Sequence, residues 1–290
     1  MPVDALEPVA FEVGGKGPVL RGETSGAGPD LILCHGLSAT RTYVVHGSKV
    51  LPRRGYRLHT YDARGHGESD PATDGYGYGR LSEDLGRVAD AVAQAPRPVV
   101  GGHSMGCHAA VTYALREPER VSALILVGPV YTPELDGGAE LARWDDRARA
   151  LETGGPDAFG RAAAEGIESD RYRETIERLA RDRAALHLHP EAVAQALREV
   201  PRSRPFTAME ELDRLAMPVL VAGTRDEADP GHPEAVARLY ADRLPNSEFV
   251  IEKVGESPLS WQGGRLSREI AGFLASHGIG GQSGQTRSEG

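Results

Sequence analysis

The chain runs to 290 residues, long enough to bury a sizeable core as one large domain or as a domain with an insertion. Its 33 Lys and Arg against 42 Asp and Glu give a net charge of -9, which argues against a nucleic-acid surface or an anionic membrane as a main partner. Two cysteines, Cys34 and Cys107, make neither a disulfide framework nor a zinc cluster. With no basic and apolar leader over Met1–Val13 and no apolar run of membrane-spanning length, the expectation is a soluble, cytoplasmic protein acting on a small molecule.

In chain order, Val19–Thr24 and Leu31–Cys34 read as strands, followed by a helix over Tyr43–Leu51 and a strand over Tyr56–Tyr61. Leu81, Leu85, Val88 and Val92 mark a helix reaching Gln94. The apolar run Pro98–Gly101 then leads into Gly102-His103-Ser104-Met105-Gly106, and a helical pattern follows from Cys107 to Glu117. Strand, glycine-flanked serine and helix is the setting of a nucleophile elbow, where a strained turn needs small neighbours. Val121–Val127 is apolar but for Ser122, as a strand covered on both faces should be.

From about Tyr131 to Glu211 the character changes to Ala, Arg and Glu at helical spacing, clearest over Trp144–Leu151, Asp170–Leu186 and Pro190–Val200. The alternation then resumes: strand Pro218–Ala222, helix Pro233–Leu244, strand Phe249–Lys253 and helix Leu266–His277. Strands separated by helices imply right-handed crossovers and a mainly parallel sheet. An all-helical insertion at 131–211 would split a core of residues 1–130 and 212–278. A Gly/Ser/Gln-rich tail at 279–290 has the composition of disorder.

The elbow, His35-Gly36 after the second expected strand, and Asp62-Ala63-Arg64-Gly65-His66-Gly67-Glu68-Ser69 occur in an order and spacing that resemble the α/β-hydrolase superfamily. The resemblance implies a mostly parallel eight-stranded sheet flanked by helices, with a helical cap over the pocket. It implies Ser104 as nucleophile and the N–H groups of Leu37 and Met105 as the oxyanion hole. The Asp62–Ser69 loop is mainly structural in the family. Asp226, in Gly223-Thr224-Arg225-Asp226, matches the family's acid; Asp229 competes with it, and either aspartate could instead cap the helix near Pro233. His35, His103, His189 and Trp261 are candidates to touch substrate, although a histidine placed as His103 is usually structural in the family. No cofactor or metal is implied.

The third triad member departs from the pattern. Val254-Gly255-Glu256-Ser257-Pro258 places Glu256 where the family carries histidine, and no histidine lies between His232 and His277. A serine hydroxyl without a positioned base is a poor nucleophile. Glu256 beside Asp226 is one replacement, since two carboxylates in one pocket raise an apparent pKa toward neutrality. A histidine elsewhere is another: His187, His189, His232 or His108. The expected activity is hydrolysis of a small ester- or lactone-type substrate. The alternatives are lyase, cyclase or isomerase chemistry on the same fold, or a catalytically silent ligand-binding protein. Serine in place of aspartate at the elbow speaks against dehalogenase and epoxide hydrolase chemistry.

Overall fold

A computed structural model describes residues 6–133, 138–167, 169–225, 229, 231–253 and 261–280. Asp226, Pro230 and Glu256 lie outside these residues, as does most of the expected tail.

The N-terminal strands are β1 (Val9–Val13) and β2 (Leu20–Gly26), followed by β3 (Asp30–Cys34). Helix α1 (Val50–Arg53) leads to β4 (Arg57–Tyr61), and α2 (Tyr78–Val92) to β5 (Val99–His103). Then come α3 (Met105–Arg116) and β6 (Ala123–Val127). Three helices follow before the next strand: α4 (Gly138–Ala164), α5 (Asp170–Ala184) and α6 (Pro190–Glu199). The chain closes with β7 (Val219–Gly223), α7 (Glu234–Arg243), β8 (Ser247–Ile251) and α8 (Gly263–Ser276). These eight strands form one sheet in the order β1-β2-β4-β3-β5-β6-β7-β8. Only the β1–β2 and β2–β4 pairings are antiparallel.

Burial explains the sequence pattern. Every residue of β3, β6 and β7 is buried, as the unbroken apolar runs require of strands covered on both faces. One apolar cluster lies on the α2, α3 and α7 side of the sheet, and a second on the α8 side. A third, smaller cluster joins Ala148, Leu151, Phe159 and Val193 of α4 and α6, with Leu37 packed against it. The helices inserted between β6 and β7 therefore share a core with the loop after β3.

Two sequence expectations change. The helix expected over Tyr43–Leu51 is a single 3-10 turn, Arg41–Tyr43, and the four-residue α1. Thr42, Val44 and Val45 are β-branched, and His46 and Gly47 both take positive φ, which ends any helix there. Strand β1 escaped the sequence pattern because it is an edge strand with only Val13 buried. Among the described residues no helix is long and apolar enough to cross a membrane.

Candidate active site

Strands β3, β5, β6 and β7 end at one edge of the sheet, where ligands of open α/β sheets bind. Ser104 is the residue between β5 and α3, with φ 51° and ψ −109°. A serine in that region is strained by roughly 1–3 kcal/mol, so the surroundings must hold it there. Its N–H donates to Val127 O at 2.9 Å, and its carbonyl accepts from His108 N–H at 3.2 Å. Gly106 N–H donates to His35 O at 3.1 Å. The flanking glycines are needed for contact rather than for φ. A Cβ on Gly102 or on Gly106 would stand 2.2 Å from Cys34 O, so any side chain there would push β5 and α3 away from β3.

Gly36 carries the loop after β3 against the elbow. A Cβ there would lie 2.8 Å from His103 Nδ1 and 3.5 Å from Ser104 Cβ. This brings the Leu37 backbone beside the serine. The N–H groups of Leu37 and Met105 donate to no described residue, while their neighbours Gly106 and Ala39 are paired. Met105 N–H is also one of the unpaired donors at the start of α3, on the positive end of its dipole. Two free donors flanking a serine are what a developing oxyanion requires.

One set of histidines braces this loop. His35 is fully buried; its Nδ1–H donates to Gly36 O at 2.8 Å and its Nε2 accepts from Ala63 N–H at 2.9 Å. With both nitrogens committed, it holds the loop and offers nothing to a substrate. His66 packs 5.1 Å from the His35 ring, and His187 packs 5.5 Å from His66. His187 Nδ1 accepts from Gly67 N–H at 2.8 Å, and its Nε2–H donates to Ser38 O at 3.2 Å. It therefore ties the α5–α6 connection to two core loops. Burial holds all three below the ordinary histidine pKa, His187 at about 4, so they are neutral. His108 is a brace too: its Nε2 accepts from Val130 and Tyr131 N–H, and burial brings its pKa to about 3. His189 opens α6, with its ring 3.7 Å from Glu191. Asp62 accepts from Arg41 N–H and Glu68 N–H and pairs with the Arg41 guanidinium, while Arg64 pairs with Asp84 at 2.6 Å. The whole Asp62–Ser69 loop is thus held by structural bonds.

On the other side of Ser104 the histidines are differently placed. His103 makes no hydrogen bond to a described residue. Its ring lies 4.7 Å from that of His232, and both crowd Gly128 after β6. His232 Nδ1 shares a 2.8 Å hydrogen bond with Asp229 Oδ2. Burial lowers the His232 pKa, but the charge and hydrogen bond of Asp229 outweigh it, leaving the imidazole above its ordinary value. For Asp229, burial pushes up, while His232, His103 and Arg183 carry the carboxyl below the usual range. The pair is an aspartate–imidazole couple in the loop after β7. His103 stays neutral, lowered first by burial and then by His232.

A cavity of about 30 Å³ adjoins this couple, lined by Ala39, Tyr43, Val44, His46, His103, Val127, Arg183 and Trp261. Trp261 is buried and donates Nε1–H to Gly223 O at 2.8 Å, so it walls the cavity and has no donor left for a ligand. Arg183 comes from the last turn of α5, its guanidinium 4.7 Å above the Tyr43 ring. Arg183, Tyr43 and His46 carry no sequence signal, because Arg183 is one of several arginines on a charged helix. His103, Asp229 and His232 offer ligand atoms within 4.8 Å of one another, a two-histidine, one-carboxylate set able to hold a divalent ion. The positive charge of Arg183, which acts on all three, opposes that use.

The strained serine lies between strand and helix on a mostly parallel, helix-flanked sheet, beside two N–H groups that donate to no described residue. A family model described as alpha/beta hydrolase fold matches residues 29–262. The chain belongs to the α/β-hydrolase fold family. It is 28% identical over 239 residues to a protein of Agrobacterium fabrum named as a carbamate hydrolase, RutD, covering 81% of this chain and 88% of that one. Among solved structures, a thermophilic esterase from Thermogutta terrifontis superposes with a TM-score of 0.70 at 21% identity, covering 94% of this chain and 97% of the esterase. The enol-lactonase of Burkholderia xenovorans LB400 gives 0.69 at 20% identity, over 93% and 99%. At those identities the structural likenesses speak for the fold alone.

Proposed function

We propose that this protein is a serine hydrolase of small ester-, lactone- or amide-type acyl substrates. The observation that carries the reading is the backbone of Ser104: φ 51° held in place by Val127 O, with the Leu37 and Met105 N–H groups beside it bonded to no described residue. The name of the curated relative, a carbamate hydrolase, agrees with acyl transfer to water. Ser104 Oγ adds to the substrate carbonyl, the two N–H groups hold the oxyanion, and the leaving group departs with a proton. Water then attacks the acyl-enzyme and releases the acid. The helices of 131–211 serve as the cap, with α5 and α6 bounding the pocket and fixing substrate size.

The proton is managed in one of two ways. Asp226 with Glu256 supplies a carboxylate base of raised pKa. A second reading rests on a specific observation: His232 is already coupled to Asp229 at 2.8 Å, and its ring lies 4.7 Å from that of the residue preceding Ser104. Its raised pKa suits a base that takes a proton and returns it.

A fluorophosphonate probe tests the nucleophile. It should label wild type and leave Ser104→Ala unmodified; a folded wild type that resists labelling would refute the hydrolase reading. Steady-state rates of Glu256→Gln and His232→Gln then identify the base. The true base should lose about 10²- to 10⁴-fold in kcat, and the other variant should stay within a few-fold of wild type.

A further inference from the structure

The cavity beside His103 is rich in donors, and among the described residues no acceptor is bonded to Arg183 or His103. Arg183 Nε is buried without a hydrogen-bond partner, and its guanidinium pairs with no described carboxylate. Asp229 is a negative charge that acts on it, but that carboxylate is hydrogen-bonded to His232. His103 lines the cavity with neither ring nitrogen bonded to a described residue, and the exposed His46 lines it too. A cation removed from water without a counter-charge is costly, and unpaired donors beside it add to that cost. The Arg183 guanidinium lies 4.7 Å from the centre of the Tyr43 ring, and both residues line the cavity, so this contact holds the cation at its wall. The space of about 30 Å³ admits a group the size of a carboxylate and little more. Val127, which lines it, also holds the Ser104 N–H. An anion here would therefore sit within a short chain's reach of the nucleophile.

We infer that this cavity is a carboxylate-binding subsite formed by Arg183 and His103, and that the substrates are short acyl compounds carrying a second, negatively charged carboxylate. The inference rests on the serine-hydrolase reading for its acyl half, but the anion site itself can be tested without turnover. The planar guanidinium would pair with one carboxylate edge, and the neutral His103 ring would donate its N–H to the same group. Positive charge at this point also excludes alkyl esters that would leave Arg183 buried and unpaired, so it acts as a selector against neutral substrates.

Calorimetry with glutarate as the probe, and with its neutral diamide as control, reads the site directly. Glutarate should bind wild type one to one and the diamide should not. Arg183→Gln should weaken glutarate about 10- to 100-fold, the loss of a charge-assisted pair, and Arg183→Lys should fall between the two. In turnover, the ratio of kcat/KM for 4-nitrophenyl hemiglutarate to that for 4-nitrophenyl pentanoate should favour the anionic ester and drop by a similar factor in Arg183→Gln. If Arg183→Gln does not fold by circular dichroism, Arg183→Lys carries the comparison. Absence of glutarate binding to wild type, binding unmoved by both variants, or an ester ratio that stays within twofold would each overturn the subsite. Turnover of neither ester, with Ser104 unlabelled by fluorophosphonate, would instead refute the hydrolase reading, and glutarate binding would still decide the anion site.

Discussion

Two groups of histidines flank Ser104, and they differ in what their nitrogens do. On one side His35 and His187 spend both ring nitrogens on backbone groups, and His66 donates Nδ1–H to Arg64 O. On the other, His103 bonds to no described residue, and His232 is engaged only through Nδ1, by Asp229. The residue type is the same; the hydrogen-bond inventory separates all but His66, whose buried Nε2 has no partner. A buried imidazole with both nitrogens paired is neutral, immobile and structural. One with a free nitrogen facing a cavity keeps a donor or acceptor for something that arrives. Location near the nucleophile is therefore a weaker guide to function than the state of each nitrogen.

The largest effect should come from breaking the paired side. His35→Ala would strip the buried Ala63 N–H of its acceptor and take from the Gly36 carbonyl one of its two donors, leaving it Ala39 N–H. The orphaned N–H costs about 1–3 kcal/mol and the space left by the fully buried ring adds a cavity cost, so a total of about 2–5 kcal/mol is expected from urea unfolding. A loss below about 1 kcal/mol would show that His35 is not the brace its bonds describe.

The next effect follows from protonation. His187 is buried and neutral with a pKa of about 4, against about 6.5 in an unfolded chain. Between those values the unfolded state binds the proton and the folded state does not. Stability is therefore fully present above pH 6.5 and is lost as pH falls toward 4, by up to about 3 kcal/mol from this one ring. His187→Gln should reduce the pH slope of unfolding in that window by about one proton. An unchanged slope would remove His187 from the linkage and leave His66 and His108 to account for it.

How far the sequence reached divides along the same line. The elbow, the paired loop after β3 and the arginine loop after β4 were legible because backbone geometry dictates residue type there. Gly102 and Gly106 must be glycine to clear Cys34 O, and Asp62 must accept two N–H groups. Alternating apolar runs placed seven of the eight strands and missed β1, whose exposed edge position leaves no burial pattern to read. Asp229 and His232 were legible singly, as a competing acid and a candidate base, but their coupling and the place of Arg183 were not. They come from a loop after β7 and a helix turn between β6 and β7, and only the folding of the inserted helices onto the core brings them beside His103. The false helix over Tyr43–Leu51 has a related cause: Tyr43 and His46 serve the cavity, and the positive φ of His46 is a local conflict that periodicity cannot register.

The smallest effect asks whether the bonds around the elbow impose its geometry on Ser104. At φ 51° a serine carries strain that glycine does not, so Ser104→Gly should relieve roughly 1–3 kcal/mol in the folded state. Glycine also gains freedom in the unfolded chain, which takes back roughly 0.5–1 kcal/mol. The side chain itself contributes little to the fold, because its hydroxyl bonds to no described residue. The net expectation is a variant about 1 kcal/mol more stable than wild type, seen as a small rise in Tm, and unable to react with fluorophosphonate. Such a gain would mean that the bonds of His35, Val127 and His108 hold the backbone against the preference of the residue that occupies it. Were Ser104→Gly less stable than wild type, the serine would be contributing a contact of its own, and the elbow would be held by its nucleophile rather than around it.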